Sequence, residues 1–129
     1  MKSRLFAVLV SLSLFSACSA PESWTPPAQQ WGEFDIHIET RPEVMRQGMN
    51  EFLLIVNRKG QRHIPDLLIK IRTPSSAWKQ AMPDGALGIY RRALLVNDMK
   101  HDQLYVRLSY HGKEGALTFD LFPANISTQ

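Results

Sequence analysis

Leu104, Val106, Leu108 and Tyr110 alternate without a break with Tyr105, Arg107 and Ser109. Successive side chains of an extended chain point to opposite faces, so this run presents one apolar face and one polar face as a half-buried β-strand. His111-Gly112-Lys113-Glu114-Gly115 follows as a hairpin turn, and Leu117, Phe119 and Leu121 return in the same period. The rest of the chain repeats the pattern. Phe34, Ile36 and Ile38 alternate with Asp35, His37 and Glu39, and Gln47-Gly48-Met49-Asn50 turns into a strand over 51–57 with little polar exposure. Leu67, Ile69 and Ile71 mark a third strand, with Lys70 and Arg72 on its other face. Residues 73–88 are broken by Pro74, Pro83, Asp84-Gly85 and Gly88, leaving room for one short strand around Trp78 and Met82. In the strand over 89–96, Arg91 and Arg92 interrupt both phases, so one of them lies near a rim or edge. No window carries helical periodicity with caps. The expectation is an all-β chain, an immunoglobulin-like β-sandwich of six or seven strands after an N-terminal signal segment. Phe34, Ile36, Phe52, Leu54, Val106, Leu108 and Phe119 are its expected core.

The first residues have a different character. Lys2 and Arg4 precede the apolar run LFAVLVSLSLFSAC, which is shorter than the roughly 20 residues of a membrane-spanning helix and ends in small residues. That order is a secretory signal. Phe15-Ser16-Ala17-Cys18 resembles the bacterial lipobox, which implies cleavage before Cys18 and lipid attachment to it; a plain secretory signal cleaved nearby is the alternative. The layout is then 1–17 signal peptide, 18–30 lipidated cysteine and proline-rich tether, 31–122 sandwich and 123–129 flexible tail. Extended, the 12 or so tether residues reach roughly 40 Å. This layout places the domain in the cell envelope, membrane-anchored through Cys18 and facing the periplasm. Ser19 after the cysteine favours the outer membrane, by resemblance to enteric lipoproteins.

Cys18 is the only cysteine, so the core forms without an intrachain disulfide, and CxxC redox or thiolate-rich metal chemistry is excluded. The formal charge is +3, and removing Lys2 and Arg4 subtracts two, leaving +1. That balance does not suit a nucleic-acid binder. There is no Gly-x-Ser-x-Gly, no phosphate-binding loop and no paired carboxylates at a defined spacing, so the chain does not read as an enzyme. Arg58, Lys59, Arg62 and His63 gather in one turn, with Arg91 and Arg92 later. They form either a contact for an acidic partner or anionic headgroups, or a solvated hairpin.

A series of landmarks runs through the domain: Pro42; Gly48-Met49-Asn50-Glu51-Phe52; Gly60; Met82-Pro83; Gly88-Ile89-Tyr90; Leu104-Tyr105-Val106-Arg107-Leu108; Gly112; and Thr118-Phe119. Their order resembles the YtkA-like and FixH-like family of envelope β-sandwich domains. Members often have several Met and His residues about the Met-Pro segment, where this chain has Met82 alone, and often Trp where Leu104 stands. The resemblance implies copper handling or assembly of copper-containing oxidases. A Cu(I) site would use thioether sulfur and imidazole. The best local pair is Met99-Lys100-His101, to which Met45, Met49 and Met82 could add from other loops, with Asp98 or Asp102 orienting the imidazole. If every connection reverses direction, the segment carrying Met45 and Met49 and the segment carrying Met99 and His101 share one end. Lys100 and Arg46 oppose a cation there, and Met also serves simply to fill irregular gaps, so weak or no Cu(I) binding is expected. Two functions follow. One is a non-enzymatic lipoprotein that binds a protein partner, in assembly of a membrane complex of the copper/oxidase type. The other is a periplasmic copper carrier or metallochaperone.

Overall fold

The computed structural model describes residues 23–61, 64–85 and 87–123. Cys18 with the whole leader, Arg62, His63 and the tail from 124 lie outside the described residues. Nine strand segments follow one another: β1 Gln29–Trp31, β2 Phe34–Arg41, β3 Gly48–Arg58, β4 Leu68–Arg72, β5 Lys79–Gln80, β6 Met82–Pro83, β7 Ile89–Val96, β8 Gln103–Tyr110 and β9 Lys113–Asp120. No helix occurs among the described residues. The first sheet has the order β1-β2-β3-β7-β6 and the second β5-β4-β8-β9, and every pairing is antiparallel. With β2 as the first long strand, β2-β3-β7-β6 over β4-β8-β9 is the ABED and CFG arrangement of an immunoglobulin-like sandwich.

The period-two reading sets the core. Phe34, Ile36, Phe52, Leu54, Val106, Leu108 and Phe119 are all buried, joined by Ile38, Val56, Ile69, Ile71, Leu94, Val96, Leu104 and Leu121. Burying side chains of this size removes enough apolar surface to offset chain ordering without a disulfide, each contributing about 1.5–3 kcal/mol. In β7 the buried phase is Tyr90, Leu94 and Val96. Arg92 belongs to it by parity but is exposed, and Arg91 points to the outer face.

Two regions differ from expectation. The single short strand expected near Trp78 and Met82 is two. β5 pairs with β4, and β6 pairs with β7, so the chain passes from the second sheet to the first across Ala81. Ala81 is buried, and its N–H donates to the Ile69 carbonyl at 2.9 Å, which fixes the crossing point. At the other side, part of the expected tether belongs to the domain. Gln29–Trp31 pair with β2, Pro26 is buried and Trp24 is half-buried. Ser23 and Thr25 lie beside Glu39, Thr40, Arg41 and Glu43. Gln29 Nε2 donates to the Thr118 carbonyl at 2.6 Å, which ties this edge of the first sheet to β9 of the second.

The Gly48-Met49-Asn50 landmark has a local cause. Gly48 has φ 110°, a conformation that L side chains rarely adopt. Asn50 is buried and turns back on the loop before it: its Nδ2 donates to the carbonyls of Arg46 (2.6 Å) and Gly48 (3.1 Å), and its Oδ1 accepts from the Arg46 N–H (3.1 Å). One amide side chain thereby satisfies three backbone groups that the ladder leaves free.

Candidate interaction surface

β4 and β8 lie side by side, and their outward phases bring polar residues together. Lys70 is the cross-strand neighbour of Arg107, and Arg72 that of Tyr105. The three cationic side chains here, Lys70, Arg72 and Arg107, would repel unless something separated them. Trp78, entering β5, supplies the separation. The Arg72 guanidinium lies 4.9 Å from the Tyr105 ring centre and 5.3 Å from that of Trp78, and the Arg107 guanidinium lies 4.3 Å from Trp78 on its own account. Tyr105, Arg72, Trp78 and Arg107 thus alternate aromatic and cation in a ladder. Each contact of this kind contributes about 0.5–1 kcal/mol at an exposed site.

Beside the ladder is an open groove of about 680 Å³ lined by Leu68, Lys70, Arg107, Ser109, Glu114 and Ala116. None of the ion pairs among the described residues involves Lys70, Arg72 or Arg107. Arg72 Nε is buried without a hydrogen-bond partner among those residues. The surface is therefore positive and aromatic.

Of the basic residues singled out in the sequence, Arg62 and His63 lie outside the described residues and Arg92 is exposed, whereas Arg58, Lys59 and Arg91 have partners within the chain. Arg58 donates to the Tyr110 hydroxyl at 2.9 Å, and Glu33 lies near both Arg58 (3.9 Å) and Lys59 (3.4 Å). Arg91 is held between Glu51 and Asp84, the latter at 2.9 Å. The Glu51 hydrogen bond, followed by that of Asp84, raises the pKa of its guanidinium. These cations are spent on partners within the chain. The ladder is hidden in the sequence because Lys70, Arg72, Tyr105 and Arg107 each look like the solvent phase of an ordinary strand. Only the position of Trp78, in a segment without periodicity, joins them.

The metal candidates divide by location. The loops 42–47 and 97–102 do share one end, where Gln47 Nε2 reaches Asn97 Oδ1 at 3.5 Å. Met45 and Met99 both pack against the core there. His101 is exposed in the same turn, with Nδ1 2.9 Å from Asp98 Oδ2. Asp98 also accepts from the Lys100 N–H (2.9 Å) and the His101 N–H (3.1 Å), and its pKa is lowered, first by the Lys100 backbone hydrogen bond and then by the His101 ring. Asp102 is buried and closes the turn by accepting from the N–H groups of Asn97 and Asp98. Met49 lies on the outward face of β3, opposite Leu95, and is 50% exposed. Met82 is 52% exposed on β6, opposite Arg91. The structure thus brings Met45, Met99 and His101 to one end; Met49 belongs to that end too, but on the outward face of β3, and Met82 lies away from it, beside the middle of β7. Among the described residues no group of three or more His, Cys, Asp or Glu side chains is placed to hold a metal ion.

The opposite end carries an aromatic cluster. Trp31 stacks on Phe34 (5.6 Å between ring centres), Phe34 meets Tyr110 edge to face (5.0 Å), and Tyr110 stacks on His111 (4.0 Å). Trp31, Phe34 and Tyr110, with Glu33, Lys113 and Glu114, border a cleft of about 440 Å³. Comparison with known protein families, with characterised proteins and with solved structures finds no match for this chain.

Proposed function

We propose that this chain is a non-enzymatic, lipid-anchored envelope protein whose sandwich docks a protein partner through the outer face of its second sheet. The observation that carries the reading is the Tyr105, Arg72, Trp78 and Arg107 ladder beside the Lys70 groove. A surface that combines aromatic rings with guanidinium groups has the composition of interface hot spots. Its positive charge selects an acidic partner and speeds the encounter. The anchor is Cys18, on the lipobox resemblance. The YtkA-like and FixH-like landmarks suggest that the partner belongs to a membrane complex of the copper/oxidase type.

A photo-crosslinking amino acid at Lys70 tests the docking face in the producing cell, with the same group at His37, exposed on the first sheet, as control. The expected result is one discrete adduct from position 70 that is lost in Arg107→Glu, and none from position 37. Equal adducts from both positions remove the reading. Cys18→Ser should abolish incorporation of a clickable fatty acid; equal label on both proteins removes the anchor.

The copper carrier is the second reading, favoured by one observation: Met45 and Met99 pack at the end that also holds His101. With Nδ1 engaged by Asp98, Nε2 is the ring atom left for a metal. Competition against a Cu(I) chelator decides this. Tight binding lost in Met99→Ala or His101→Ala promotes the carrier.

A further inference from the structure

We infer that the loops at residues 42–47 and 97–102 face the membrane, and that the cleft bordered by Trp31, Phe34 and Tyr110 faces away from it. The inference rests on lipidation of Cys18 and extends that reading to the orientation of the whole domain.

Three observations carry it. The described chain starts at Ser23, and Ser23 and Thr25 already lie beside Glu39, Thr40, Arg41 and Glu43. Pro26 is buried, and Gln29–Trp31 are hydrogen-bonded to β2, so the chain is attached to the domain from this point on. Only five steps separate Ser23 from Cys18. Fully extended they reach about 18 Å. Ser23 enters level with the C-terminal end of β2, whereas Trp31, Phe34 and Tyr110 lie at its N-terminal end. The seven steps from Arg41 back to Phe34 span about 23 Å of strand. An inverted domain would hold Ser23 farther from the bilayer than the leash extends, and an acylated cysteine uses part of its reach within the headgroup layer. The aromatic end therefore cannot rest on the membrane in which its own anchor sits.

Charge does not account for the orientation. The anchored end carries Arg41, Arg46 and Lys100 against Glu39, Glu43, Asp98 and Asp102, a near balance with a small negative excess. Val44 is 42% exposed in the 42–47 loop. Attachment geometry, not attraction to anionic lipid, sets which end is proximal. The same geometry keeps the Trp31 cleft open to the periplasmic space.

The test uses the full acylated chain in vesicles of phosphatidylethanolamine and phosphatidylglycerol containing a headgroup-attached spin-label quencher. The Cys18 sulfur is consumed by the lipid thioether, so Val44→Cys and Lys113→Cys each provide the single free thiol for a fluorophore. Both positions are exposed. Quenching at position 44 should exceed that at position 113 several-fold, and should not change when phosphatidylglycerol is replaced by a zwitterionic lipid. Equal quenching, or stronger quenching at 113, overturns the orientation while the acyl label on Cys18 still supports the anchor. Absence of the acyl label overturns both.

Discussion

The Trp31 indole occupies the space that a side chain at Gly115 would need. Trp31 is the last residue of β1 in the first sheet and Gly115 lies in β9 of the second, so this contact, with the Gln29 side chain on Thr118, closes one flank of the sandwich. Lack of room, not backbone conformation, is what excludes a side chain at Gly115. Gly115→Ala should cost about 1–3 kcal/mol by overpacking. In a Trp31→Ala background the same substitution should cost far less. Urea unfolding of the four proteins as a double-mutant cycle measures the difference, and equal costs in both backgrounds would show that the two residues do not compete for space.

Leu108 is buried between the sheets, whereas Glu114, two residues beyond the hairpin, is exposed. Leu108→Ala should destabilise the domain by about 2–5 kcal/mol through the lost apolar contact and the cavity left behind. Glu114→Ala should stay within about 0.5 kcal/mol, as surface changes usually do. Thermal melting of the domain from residue 19 compares them directly.

The ladder on the second sheet predicts coupling between Trp78 and Arg107. Each single alanine substitution should lower stability, and the double mutant should lose less than the sum by about 0.5–1 kcal/mol. Trp78 emission, isolated in a Trp24→Phe, Trp31→Phe background, should respond to Arg107→Ala. An unchanged spectrum would mean that the guanidinium is not on the ring.

Asp98 predicts an acid-sensitive turn. Its pKa is lowered in the folded chain, so its contribution is complete above the ordinary value of 3.8 and disappears as pH falls through the depressed one. Amide protection, the exchange rate relative to that of an unstructured chain at the same pH, should be lost at Lys100 and His101, whose N–H groups Asp98 accepts, over that acid window and stay level between pH 6 and pH 8. Asp98→Asn should remove the acid step. Protection that is flat through the window would assign the turn to Asp102 alone.

Strand phase was legible because one side of each long strand is apolar. The alternation of Leu104, Val106 and Leu108 needs no tertiary information to be read, and the seven expected core residues all lie inside. What the sequence did not disclose are the joins. Gln29 and Gln30 look like part of a tether because the contact that ties them to the second sheet, Gln29 on the Thr118 carbonyl, lies 89 residues away in the chain. The crossing at Ala81 is hidden by the two-residue lengths of β5 and β6, too short for any period to register. The ladder is hidden for a related reason: cross-strand register brings Arg72 to Tyr105, and register follows from pairing rather than composition. Placing Met45 and Met99 at one end, by contrast, required only that successive strands reverse.

The passage of the chain across Ala81 bears on how copies of the protein behave when crowded. A sheet edge with free N–H and C=O groups is a template for another chain. Here three of the four sheet edges are strands of two or three residues, and one of them contains Pro83, which has no N–H to offer. The remaining edge, β9, has its Thr118 carbonyl occupied by Gln29 and carries Lys113, Glu114 and Asp120. Among the described residues the one full-length edge offered to a neighbouring copy is thus a charged strand already engaged at Thr118, which opposes end-on growth and lets a dense array of these domains remain a population of separate, individually addressable molecules.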